Sequence, residues 1–152
     1  MSNTLETALY STAARTFEEL AFMFPEPDDG PVDDLILDAG VSVVFHGPLS
    51  GRLEVRVCAG VLQAVAMNML GEEDTPPRTQ QLDALGEIAN VVCGNVLPVI
   101  TDAQKVFHLD APCVLSDAEL RSVNLDSAAA FIPLQMDEGC AGIHLFLDTT
   151  AN

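Results

Sequence analysis

The chain has 152 residues, 49% of them hydrophobic, with 23 acidic residues set against 6 basic ones. That length suits one domain with a sizeable core, and a charged fraction of only 19% lies outside the composition of disordered chains. A net charge of −17 repels phosphate backbones and anionic lipid, which argues against nucleic acid and membrane surfaces as partners and favours a protein that presents cations.

Along the chain, residues 1–24 carry Leu5, Leu9, Ala13, Phe17, Leu20 and Phe24 at helical spacing, and Pro25 and Pro27 close the helix. Glu6, Arg15, Glu18 and Glu19 interrupt the same stretch, so it does not read as a basic, then apolar, leader. Residues 26–34 form an acidic loop that turns at Asp28-Asp29-Gly30-Pro31. Val41–Phe45 and Gly51–Val57 read as two strands joined by a hairpin loop. In the second, Arg52, Glu54 and Arg56 alternate with Leu53, Val55 and Val57, which predicts one wet and one dry face. A short apolar helix follows over Ala59–Leu70, closed by Gly71 and the acidic, proline-rich segment after it. The longest uncharged run, Val57–Gly71, is shorter than the roughly 20 residues of a membrane span, so a soluble, cytoplasmic protein is expected.

A further helix starts near Arg78 and runs to about Leu97. Phe107–Leu115, Ala128–Met136 and Ile143–Leu147 are strand candidates, with Asp137–Gly142 as the loop between the last two. The order α-β-β-α-α-β-β-β predicts an α/β (α+β-like) fold, one domain with helices packed on a largely antiparallel sheet.

Cys58, Cys93, Cys113 and Cys140 are widely spaced in apolar surroundings and form no C-x-x-C pair, so they read as buried, reduced small hydrophobes. His46, His108 and His144 are equally dispersed and assign no metal ligands.

The informative segment is 78–100. At about 100° per residue, Leu82, Leu85, Ala89, Val92 and Val96 share a core-facing side, whereas Asp83, Glu87, Asn90 and Gly94 form a stripe within about 60° on the opposite side. Pro98 removes the bond to the Gly94 carbonyl, so a kink or an end is expected there. A polar stripe opposite an apolar one is what any surface helix shows. This one lacks a Lys or Arg to pair with its acids, and the helix carries Gly86, Asn90, Gly94 and Asn95, all weak helix formers, within ten residues. A helix that accepts that cost does so for close approach or a specific contact.

Asp83-x3-Glu87-x2-Asn90, continued as Val-Val-Cys-Gly-Asn, resembles the signature helix of the CheC/CheX/FliY chemotaxis phosphatases, with an Asp or Ser, then Glu, then Asn at this spacing. Chain length and the elements on either side are similar to a stand-alone CheX domain. CheC-type members carry a second copy on the first helix; here Glu18 and Glu19 are followed by Leu-Ala-Phe-Met without an Asn, so one active helix per chain is expected, as in CheX. The family also has a proline some twenty residues past the Asn, near which Pro112 lies.

The resemblance implies a hydrolase acting on the aspartyl phosphate of a CheY-like receiver domain. The partner's own magnesium ion and lysine would supply the electrostatic stabilisation, so no cofactor is expected in this chain. Asn90 would orient the attacking water, an amide offering donor and acceptor together. Glu87 would pair with the partner's active-site lysine, and the two, at i,i+3, can enter one cleft. Gly94 would admit a partner's backbone and Asp83 would add charge at the contact. CheX members are described as homodimers, which extends that expectation to this chain. Two alternatives stay open: a response-regulator or flagellar-switch binding module that hydrolyses nothing, and a domain whose stripe is only a solvated face.

Overall fold

The computed structural model describes residues 2–26, 38–101, 104, 106–121 and 128–148; the acidic loop expected over 26–34 falls outside them except for Glu26. The elements are α1 (Ser2–Ala21), β1 (Ala39–His46), β2 (Gly51–Val57), α2 (Ala59–Leu70), α3 (Arg78–Ile100), β3 (His108–Leu109), β4 (Cys113–Val114), α4 (Asp117–Arg121), β5 (Ala130–Met136) and β6 (Gly139–Leu147). The sheet runs β3-β1-β2-β6-β5, with β4 also on β1, and all its ladders are antiparallel. This is the helices-on-antiparallel-sheet arrangement that the sequence implies.

Strand alternation builds the core. Val41, Val43 and Phe45 of β1, Leu53, Val55 and Val57 of β2, Ile132 and Leu134 of β5, and Ile143 and Leu145 of β6 are buried together. They meet Leu9, Ala13 and Phe17 of α1, Val61 and Val65 of α2, and Leu85, Ile88, Ala89, Val92 and Val96 of α3. Helix α3 packs on α1, α2 and β1, so it sits at the centre of the helical layer. It is long and apolar enough to cross a membrane by length and composition, yet half of it is buried as a core helix.

Several elements depart from the sequence expectation, each for a local reason. Helix α1 stops at Ala21 because Phe22 adopts a left-handed conformation, φ 54°, and the Met23 N–H bonds back to the Phe17 carbonyl at 3.1 Å. Met23 therefore enters the core, 1% exposed, while Phe24, expected there, is 64% exposed. Helix α3 continues past Pro98 to Ile100 and is closed by the Thr101 N–H and hydroxyl on the Leu97 carbonyl. The expected strand 107–115 is two short strands. Leu109 faces Phe45 whereas Cys113 faces Ser42, so one extra residue is taken up between them as a bulge, at the proline that cannot donate to a ladder. The expected loop 137–142 is only a turn at Asp137-Glu138, because β6 begins at Gly139 with Met136 opposite. Helix α4 shows no apolar periodicity in the sequence, since none of its five residues is itself buried. Its signal is a capping box: the Glu119 N–H donates to Ser116 Oγ at 3.2 Å and the Ser116 N–H donates to Glu119 Oε1 at 2.8 Å. The Ser116 amide holds the Glu119 carboxyl below its ordinary value.

The outer face of the sheet, expected to be wet, is wet only in part. Arg52 is exposed, but Glu54 and Arg56 are 4% and 3% exposed and His144, opposite Glu54, is 2% exposed. Glu54 accepts from Arg56 at 2.8 Å and from Arg52 at 2.9 Å, and Arg56 also donates to the Leu120 and Glu119 carbonyls of α4. The His144 ring packs against Phe131 and stacks on Phe146, and its Nδ1 has no hydrogen-bond partner among the described residues. Burial pushes the imidazole down to about 4, with the Arg56 charge adding to the shift. An unfolded chain binds this proton near pH 6.5, the folded chain only near pH 4. Folding stability is therefore expected to fall by up to about 3 kcal/mol as pH drops across that window, and the contribution is intact above it. Urea unfolding of wild type and His144→Leu, followed from about pH 7 to about pH 4.5, reads it out: the variant should have the shallower dependence.

Candidate functional site

Helix α3 begins after Pro77, where Gln81 donates from its side chain to the Pro76 carbonyl at 2.8 Å. Arg78, the helix's cation, is held by Asp38 at 2.8 Å and is thereby kept from neutralising the acids further along. With Leu85, Ile88, Ala89, Val92 and Val96 buried, the opposite side of the helix is left to solvent. Asp83, Glu87 and Gly94 are exposed and Asn90 is half-buried. The four predicted residues thus share one face. Among the described residues, no hydrogen bond or ion pair within the chain engages the side chains of Asp83, Glu87 or Asn90. Two carboxylates and an amide stand ready along two turns with their donors and acceptors open. Leu82, expected on the core side, is only half-buried at its edge.

The glycines of this helix separate into two roles. A Cβ at Gly86 would lie 3.2 Å from the Pro112 ring. The bulge between β3 and β4 therefore sets Pro112 against the helix beside Glu87, and Gly86 makes room for it. Sequence alone marked Gly86 as a costly helix residue without showing its neighbour. A Cβ at Gly94 would meet only Leu109 at 3.9 Å, an ordinary contact. Packing within this chain does not require that glycine, and its bare backbone faces outward.

The stripe is a convex helix surface, suited to entering another molecule's cleft. An open groove lies to one side of it, between α1 and the end of α3, lined by Thr4, Thr7, Ser11, Arg15, Asn95 and Val99. His46 and His108 both approach Asp110, at 3.2 and 3.5 Å. Among the described residues no group of three or more His, Cys, Asp or Glu side chains is placed to hold a metal ion. The cysteines differ from the expectation of uniform burial: Cys93 is buried, Cys58 and Cys140 are half-buried, and Cys113 is exposed on β4, a two-residue strand at the edge of the sheet beside β1.

Residues 39–135, more than half of the chain, match the family model described as chemotaxis phosphatase CheX. Solved structures share the fold. The chemotaxis protein CheX from Vibrio vulnificus superposes with a TM-score of 0.75 at 18% identity, covering 97% of this chain and 99% of that one. The CheX protein from Desulfovibrio desulfuricans gives 0.71 at 17% identity, covering 95% and 99%. CheX in the CheX–CheY–BeF3–Mg2+ complex from Borrelia burgdorferi gives 0.65 at 13% identity, covering 93% and 96%. No curated protein sequence matches the chain.

Proposed function

The chain belongs to the CheX family of chemotaxis phosphatases, and from that premise we propose that it hydrolyses the aspartyl phosphate of a CheY-like response regulator. The observation that carries the reading is the Asp83–Glu87–Asn90–Gly94 face of α3, whose polar side chains have no hydrogen-bond or ion-pair partner among the described residues. A small-molecule enzyme would enclose its substrate, whereas a protein substrate with its own pocket calls for a projecting helix. The complex of a CheX with CheY and BeF3 in Borrelia burgdorferi supports a receiver domain as the partner.

In this reading most of the chemistry is brought by the substrate. An acyl phosphate is already activated, and the receiver's magnesium ion and lysine neutralise charge on the phosphoryl oxygens. What remains is to hold a water in line with the leaving oxygen, where positioning dominates the rate. Asn90 does this: its carbonyl oxygen accepts from the water and its NH2 directs it. Glu87, one turn earlier, takes the receiver's lysine as its counter-ion and so sets the depth at which Asn90 enters. Asp83 extends the negative surface toward a cationic rim, and Gly94 lets the receiver's backbone lie against the helix. The net charge of −17 steers the encounter. The chain brings no cofactor of its own, acts in the cytoplasm with its receiver, and works as a homodimer.

Phosphorylated receiver decaying with and without the protein tests the activity, and titration of Glu87→Ala tests the dock. That variant is expected to bind the receiver about 30-fold or more weakly, because the lysine loses its counter-charge. Rising salt should weaken wild-type binding in the same direction. A variant that binds as tightly as wild type would assign the lysine to another residue.

A further inference from the structure

Beyond the α3 face, the fold brings two cysteines distant in sequence to one place. The β2–β6 ladder ends with Val57 opposite Ala141, and the next pair outward is Cys58 and Cys140. The Cys58 N–H donates to the Cys140 carbonyl at 3.2 Å, and the Cys140 N–H donates to Cys58 Sγ at 3.3 Å. Residues facing one another across antiparallel strands have Cα atoms about 4.5–5.5 Å apart, inside the span of about 4.4–6.8 Å that a disulfide bridges without moving the backbone. Glycines keep the space open. A Cβ at Gly139 would fall on Cys58 Sγ, and one at Gly60 would strike the Glu138 carbonyl, so the start of α2 lies tight against the β5–β6 turn with the sulfur between them. Both thiols are half-buried: reachable by a small oxidant, shielded from a protein-sized one.

We propose that Cys58 and Cys140 form a modification site, a cross-strand dithiol that hydrogen peroxide or an alkyl peroxide converts to an intramolecular disulfide. The Cys58 sulfur attacks the peroxide; its S–O bond forms, the O–O bond breaks, and water or an alcohol leaves with the thiol proton. The Cys140 sulfur then attacks Cys58, the S–S bond forms, the S–O bond breaks, and a second water leaves carrying the Cys140 proton. Two electrons pass from the sulfurs to the peroxide. Cys140 is the second to react because burial, then the neighbouring Cys58, raise its thiol above the ordinary value. Cys93 stays out of the exchange, fully buried and pushed up to about 12. The link ties the start of α2 to the β5–β6 turn across a long loop, so it also restricts the unfolded chain.

The test uses the full chain carrying Cys113→Ser, which removes the exposed thiol and with it cross-linking between molecules. Treated with hydrogen peroxide, the protein should lose two hydrogens by intact mass and yield one linked peptide pair containing Cys58 and Cys140, both reversed by dithiothreitol. The oxidised form should melt about 5–10 °C higher than the reduced form. Cys58→Ser and Cys140→Ser should each abolish the mass loss and the shift, and the peptide map reads the site even where a serine variant folds poorly. Unchanged mass, added oxygen without a linked peptide, or a link through Cys93 would overturn the proposal. The receiver phosphatase assay plays no part in this readout, so each proposal fails independently of the other.

Discussion

Replacing Asn90 by alanine is expected to reduce the saturating rate of receiver dephosphorylation by about 100-fold or more, while the complex forms with nearly wild-type affinity. The expectation follows from where Asn90 stands. It lies on the same face as Glu87, and among the described residues its half-buried side chain makes no hydrogen bond or ion pair within the chain, so its loss breaks no internal polar bond. Alanine is also the better helix former, and α3 should be no less stable without the amide. A fall in rate with intact binding and an unchanged melting temperature separates a water-orienting group from a structural one. Single-turnover decay of phosphorylated receiver, titrated to saturation with each protein, is the measurement. Near wild-type turnover in Asn90→Ala would instead make the helix a docking element and favour a module that binds receivers without hydrolysing them.

The second large effect falls on the opposite side of the sheet. Arg56→Ala should cost about 3–5 kcal/mol, because it strands the buried Glu54 carboxylate and the Leu120 and Glu119 carbonyls that Arg56 now caps. Arg52 still reaches Glu54, but from an exposed position where solvent weakens the pair. Removing both charges with Glu54→Leu/Arg56→Met should cost less than the single change, since no buried ion is left alone. Denaturant midpoints for the three variants decide it, and equal losses in single and double variants would reduce the cluster to ordinary packing.

Much of this protein is legible along the chain because the relevant rules are local. Periodicity of 3.6 separated Leu85, Ala89, Val92 and Val96 from Asp83, Glu87, Asn90 and Gly94, and burial follows that division; a helix turns its residues at a constant angle whatever surrounds it. The alternation in β2 likewise marked Leu53, Val55 and Val57 as core. Local rules do not state what lies opposite. Arg52, Glu54 and Arg56 read as a wet face, yet two of the three are buried, because α4 and the aromatic residues of β5 and β6 cover that side. The cost of Gly86 could be counted from the sequence, but its cause is Pro112, 26 positions away and aimed by a bulge. Cys58 and Cys140 are 82 positions apart and become neighbours only through the pairing of β2 with β6. The sequence by itself determined the faces of its helices and strands, since those follow from backbone geometry residue by residue. Which faces meet, and therefore which charges are buried and which thiols touch, was decided only by tertiary structure, because register and packing are properties of pairs of elements.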